Sequence, residues 1–150
     1  MTGVTRSTVA TRSVRQACIP RADTLQDQLD DALFAASLDA VARTGSAPPV
    51  YGDAATFFRN THPSENLKYV ADRVFHHLQS TTEPGKTFRL NTGFGGGKTH
   101  ALIALWHLAR QSGRADLGNE FVPSTRRPSV VAVAAVDGQS LGANVVSLRG

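Results

Sequence analysis

The stretch from Phe88 to Leu108, FRLNTGFGGGKTHALIALWHL, limits the possible folds more than any other part of the chain. Phe88 and Leu90 alternate with polar neighbours and predict a short strand over 86–90. Gly93, Gly95, Gly96 and Gly97 then precede Lys98 and Thr99, and the apolar spacing that follows predicts a helix reaching to Gly113. Strand, glycine loop and helix is the order a phosphate cradle needs, because it aims backbone N–H groups and the positive end of a helix at one anion. Each residue type has a task in such a cradle. The glycines curl the backbone, Lys98 reaches the β- and γ-phosphates, and the Thr99 hydroxyl ligates Mg²⁺. The candidate site for ATP and Mg²⁺ is therefore Gly93, Phe94, Gly95, Gly96, Gly97, Lys98, Thr99 and His100, with Thr99 as the metal ligand.

The spacing departs from Gly-x-x-x-x-Gly-Lys-[Ser/Thr] at one place, since Thr92 stands where the first glycine falls. A β-branched residue resists positive φ, so Gly93 is expected to take the unusual dihedral. A glycine-rich turn with a chance Lys-Thr pair is the plain alternative. A dinucleotide fingerprint fits worse, because the glycines are too tightly clustered for Gly-x-Gly-x-x-Gly. Gly85-Lys86-Thr87 repeats the same tripeptide but leaves a helix and enters a strand, which marks an ordinary turn.

Further on, the helix after Thr99 carries a polar stripe of only His100, His107 and Gln111, as expected of a helix buried on most sides. The two histidines are about 10.5 Å apart along the axis, too far to share a metal, and Trp106 reads as core. Val130 to Val136 is a nearly continuous apolar run, the pattern of a buried parallel strand, and Asp137 follows it where a Mg²⁺-binding carboxylate stands in many phosphate-loop proteins. The expected fold is α/β with a P-loop NTPase-type parallel sheet. Only its first strands are present, and an N-terminal helical segment precedes it.

That segment has its own signals. Leu25, Leu29, Leu33, Ala36 and Ala40 fall at helical spacing, with Asp23 and Gln26 as a capping pair, and TGSAPP at 44–49 ends the helix. Outward-facing Asp27, Asp30 and Asp31 read as a solvated face. A second helix is expected from Ser64, its N-cap, to Leu78, with Leu67, Val70, Ala71, Val74 and Leu78 on one face. Neighbouring His76 and His77 point in different directions and make a poor metal site. Before Asp23 the chain holds Arg6, Arg12, Arg15 and Arg21 and no acid, which reads as a disordered basic tail. The divisions are thus 1–22, tail; 23–80, helical segment; and 86–150, the start of an incomplete P-loop domain. No apolar run approaches a membrane span, and the lone Cys18 suits a reducing cytoplasm.

TGFGGGKTHALIALWHL, together with Cys18-x-Pro20-Arg21, Phe34-Ala35-Ala36-x-Leu38, Tyr51-x-Asp53, Phe57-Phe58 and Thr61-x-Pro63, resembles the large bacterial and archaeal AAA-like ATPases known as domain of unknown function 499, over about residues 18–140. The resemblance implies that Thr92 is the family's own variant of the loop. It also implies an ATPase, with an indirect link to DNA through methyltransferases and helicases in phage-defence gene clusters. Members are commonly longer, and this chain ends before an Asp-Glu pair, polar sensor or arginine finger appears.

The leading expectation is the ATP-binding portion of an ATPase whose hydrolysis needs more chain, with self-association or a second subunit completing the fold. One alternative is a truncated, non-catalytic nucleotide-binding fragment or a regulatory subunit. The other is a small phosphotransferase, which would need a lid and an acceptor-binding segment. Four tail arginines neutralise only a few phosphates. Filter binding should therefore show weak nucleic-acid affinity that disappears at moderate salt; tight, sequence-selective binding there would contradict the reading of the tail.

Overall fold

The computed structural model describes residues 13–19, 25, 35–42, 46–80, 82, 85–93, 95–136 and 138. The chain divides into Met1–Asp31 and Ala32–Gly150. In the first unit, one helical turn, α1 (Val14–Ala17), falls inside the segment expected to be a disordered tail. The Gln16 side-chain oxygen accepts from the Ser13 N–H at 3.2 Å. Cys18 is exposed. The Asp23–Gln26 capping pair and Asp27, Asp30 and Asp31 lie outside the described residues.

The second unit is helical. Its elements are α2 (Leu38–Ala42), α3 (Pro49–Gly52), α4 (Ala54–Asn60), α5 (Glu65–Gln79), α6 (Lys98–Arg110) and a 3₁₀ turn, η1 (Ser124–Arg126). Local chemistry fixes most starts. The Ser37 hydroxyl accepts from the Ala40 N–H at 3.2 Å. Pro49 opens α3, where its missing N–H does no harm. The Asp53 carboxylate caps α4 by accepting from the Thr56 N–H at 2.8 Å, and hydrogen bonds from Thr56 hold the Asp53 carboxyl below its ordinary pKa. Ser64 caps α5 through the Leu67 N–H, as its sequence position predicts. Gly113 does not close α6. The helix ends at Arg110 with Gln111 as C-cap, and Gly113 is not among the glycines with positive φ.

α6 is the centre of the packing. One side, Ile103 and Ala104, meets Phe57 of α4, with Leu38, Val41 and Tyr51 around it. The other side, Leu108 and Ala109, meets Ala71 and Phe75 of α5 together with Phe121 and Val122. Trp106, expected in the core, is half-buried beneath the Arg110 guanidinium, which lies 5.6 Å from its ring centre. The exposed Arg126–Asp72 ion pair at 2.7 Å links η1 to α5.

The expected parallel sheet is not there. Among the described residues no strand forms: 85–90 and 130–136 run without a β-ladder. Burial alternates along 131–136, and Val131 and Val133 pack on the core while Val130 and Val136 stay exposed. The apolar run therefore serves as a covering segment laid over helices. Apolar periodicity reports which faces are covered, but a sheet also needs a neighbouring backbone to receive its N–H and C=O groups, and periodicity carries no information about that. No helix among the described residues is long and apolar enough to cross a membrane.

Phe57, 1% exposed, is a fully buried aromatic side chain where α4 meets α6. Phe57→Ala should destabilise the chain by about 3–5 kcal/mol, measured by urea unfolding. A loss below about 1 kcal/mol would mean that this contact does not hold α6.

Candidate functional site

The glycine loop takes left-handed backbone at two positions, although not at Gly93. Gly95 (φ 75°) and Gly97 (φ 73°) take the left-handed conformation, and Gly93 is not among the positive-φ glycines. Gly97 is the N-cap of α6, so the N–H groups of the first turn point out of the helix toward the loop. Gly96 is needed for space. A Cβ there would run into the Thr92 side chain, 2.7 Å from its Cβ, while the Gly96 N–H closes a turn onto the Gly93 carbonyl at 3.2 Å. Phe94 lies outside the described residues.

Lys98 sits at the positive end of a helix whose first turn holds no acid, a position that disfavours a cation. Its ammonium folds back into the loop. It donates to the Thr92 and Gly93 carbonyls at 2.9 Å each and lies 3.3 Å from Thr92 Oγ1. Thr92, out of place in the sequence pattern, is thus both the neighbour of Gly96 and a partner of Lys98. By contrast Lys86, in the other Gly-Lys-Thr, is exposed on the segment before the loop.

Lys98, Gly96 and Gly97 form one wall of a hollow of about 400 Å³. The rest of the lining includes Asn60 at the end of α4, His62 in the turn after it, and Asn66 and Val70 of α5. Thr99 looks elsewhere, lining a separate hollow of about 370 Å³ with Ser37, Leu102 and Gly138. Asp137 lies outside the described residues. Among those residues no group of three or more His, Cys, Asp or Glu side chains is placed to hold a metal. The residues present thus suit the phosphates of a nucleotide better than they suit its metal, for which Thr99 offers one hydroxyl.

His100 and His107 hold α6 in place. His100 Nε2 is 3.0 Å from Thr61 Oγ1, whose own proton goes to the Phe57 carbonyl at 2.7 Å. A carbonyl only accepts, so Nε2 of His100 carries the hydrogen. The same argument applies to His107, whose Nε2 donates to the Tyr51 carbonyl at 2.6 Å. Phe57 lies between them, 4.8 Å from the His100 ring and 5.2 Å from the His107 ring. His107, expected on a polar stripe, is therefore buried. Both partners lie in the 51–61 segment, and no signal near His107 in the sequence points to them.

Burial lowers the pKa of both imidazoles from the ordinary 6.5; for His107 the Tyr51 carbonyl and the Asp53 charge partly oppose it. A depressed folded-state pKa makes the neutral form the stabilising one. That stability is complete above pH 6.5 and is lost as the pH falls from there toward the folded-state values. Imidazole NMR titration should give both rings midpoints below 6.5, with thermal stability falling over the same range; a midpoint at or above 6.5 for either would contradict the buried, neutral assignment.

The family model of the DUF499 N-terminal domain matches residues 13–147. No curated protein and no solved structure matches the chain.

Proposed function

This chain belongs to the family of the DUF499 N-terminal domain, and on that premise we propose that it binds the triphosphate of ATP through residues 93–99 as the nucleotide-binding portion of a P-loop, AAA-like ATPase. The observation that supports this reading is the cation at the head of α6. Lys98 stands where the helix field disfavours it, next to two left-handed glycines and a third glycine that has no room for a side chain. A local rule broken in this way, on a helix otherwise well packed, is what a functional constraint looks like. An incoming phosphate would exchange the neutral Thr92 and Gly93 carbonyls around the ammonium for anionic oxygens, a stronger set of charge-assisted hydrogen bonds.

Mg²⁺ would supply neutralisation of the phosphate charge in this class of chemistry, but Thr99, the residue expected to hold it, lines a different hollow from Lys98. His100 serves the site by keeping the first turn of α6 against Thr61. Hydrolysis requires a group to position water, and no acidic side chain lines the hollow beside Lys98 among the described residues. We therefore assign this chain nucleotide binding, with turnover depending on further chain or a partner subunit. The cytoplasm is the compartment, and any link to nucleic acid is indirect.

Titration with a fluorescent ATP analogue and Mg²⁺ tests the reading. Lys98→Ala should weaken binding by at least about tenfold, since a charged hydrogen-bond donor is lost. Lys86→Ala should bind as the wild type does. Equal affinity for the wild type and Lys98→Ala rejects the phosphate site.

A further inference from the structure

The segment 130–136 has partners for its side chains and none for its backbone. Val131 and Val133 pack on the core, and burial alternates residue by residue as far as Val136, the period of a strand. Yet among the described residues no N–H or C=O group of 130–136 makes a hydrogen bond. Unpaired backbone of this kind is a template for a second strand. The outer face carries Val130 and Val136 at its ends, 85% and 74% exposed, with the exposed alanines Ala132 and Ala134 between them. Residues 131–136, together with Val74, Leu78, Leu102 and Trp106, also line a hollow of about 420 Å³ that no charged side chain enters.

We propose that 130–136 is a dimerisation strand, which pairs antiparallel with the same segment of a second copy of this chain about a two-fold axis at Val133. The inference is independent of nucleotide binding. Backbone donors and acceptors in a strand are matched group for group by another strand. The order of side chains then selects the second copy. Pairing about Val133 sets Val130 opposite Val136 of the other copy and Ala132 opposite Ala134, so each exposed valine is covered by the other. Val131 meets Ala135 on the core-facing side in the same register. A slip of one residue would put the outer face of one copy beside the core face of the other.

Charge agrees with this choice. Edges that must stay unpaired are commonly guarded by lysine, by proline or by an inward-pointing charge. The run VVAVAAV holds none of these, so two copies approach without repulsion. A two-fold contact also closes on itself and leaves the assembly at two chains.

A single strand pair is a small interface, so the dimer is expected to be weak, and sedimentation velocity on the full chain should span about 1 to 100 μM. The wild type should pass from monomer to dimer over that range. Successive N–H groups of a strand point to opposite edges, so one of Ala134→Pro and Ala135→Pro must remove a donor of the ladder, and that variant should weaken the dimer by about tenfold or more. Thermal melting checks that both fold. Register is read by cross-linking in a Cys18→Ser background. Val133→Cys stands opposite itself, with Cα atoms about 4.5–5.5 Å apart, and should form a disulfide-linked dimer on mild oxidation. Ala132→Cys meets its own copy only on the diagonal, about 7–8 Å away, and should link at least about tenfold more slowly. A chain still monomeric at the highest concentration overturns the proposal, and so does a series of species larger than a dimer. Dimers unchanged in both proline variants, or equal cross-linking at 132 and 133, also overturn it. A monomer whose 130–136 amides resist hydrogen exchange would overturn it in favour of this chain's own residues at the edge.

Discussion

Everything near the glycine loop depends on how α6 is clamped along the side that faces α4. Phe57 fills the space between His100 and His107, seven residues apart on α6, and each imidazole gives its one N–H to the segment that carries Phe57. The clamp combines apolar burial with two directed hydrogen bonds, so it fixes both the distance and the rotation of α6. Rotation matters because Lys98 and Thr99 are consecutive and look into different hollows. A turn of the helix about its axis would exchange the residue facing Asn66 and Val70.

The loop itself shows two kinds of glycine requirement. Gly95 and Gly97 are glycines because of their dihedrals, and Gly96 because of the Thr92 side chain. Thr92 links these needs to the lysine. Its side chain takes the space a residue 96 side chain would need, and its carbonyl and hydroxyl receive the Lys98 ammonium. A residue that departs from the usual loop spacing is thus built into the loop, and the left-handed bend falls at Gly95 where Gly93 would have been expected.

What was legible in the sequence was what depends on near neighbours. The Ser64 cap and the length of α5 follow from hydrogen bonds within four residues, as does the start of α6 after Gly97. α3 and α4 carried local signals as well, Pro49 at a first turn and Asp53 with Thr56 three residues on. They are short, and their apolar residues, Phe57 and Phe58, acquire meaning only against α6. Partners distant in sequence were illegible: nothing near His107 announces the Tyr51 carbonyl fifty-six residues before it. The sheet failed as an expectation for the same reason. The 130–136 run has strand-like alternation and uses it against α5 and α6, with no neighbouring strand among the described residues.

The glycine loop is supported from the helix side. The segment before the loop, 85–93, has no β-ladder. The loop is closed by Gly96 on Gly93, by Lys98 on Thr92 and Gly93, and by α6 itself, which the Phe57–His100–His107 clamp holds against α4. The lysine then has two roles that compete. With carbonyls around its ammonium it ties the loop together; on the proposed reading, phosphate oxygens would replace those carbonyls and the ligand would hold the loop instead. On the proposed reading, binding and loop closure would draw on one cation, and the strength of nucleotide binding would be set by how much better an anion satisfies Lys98 than Thr92 and Gly93 do.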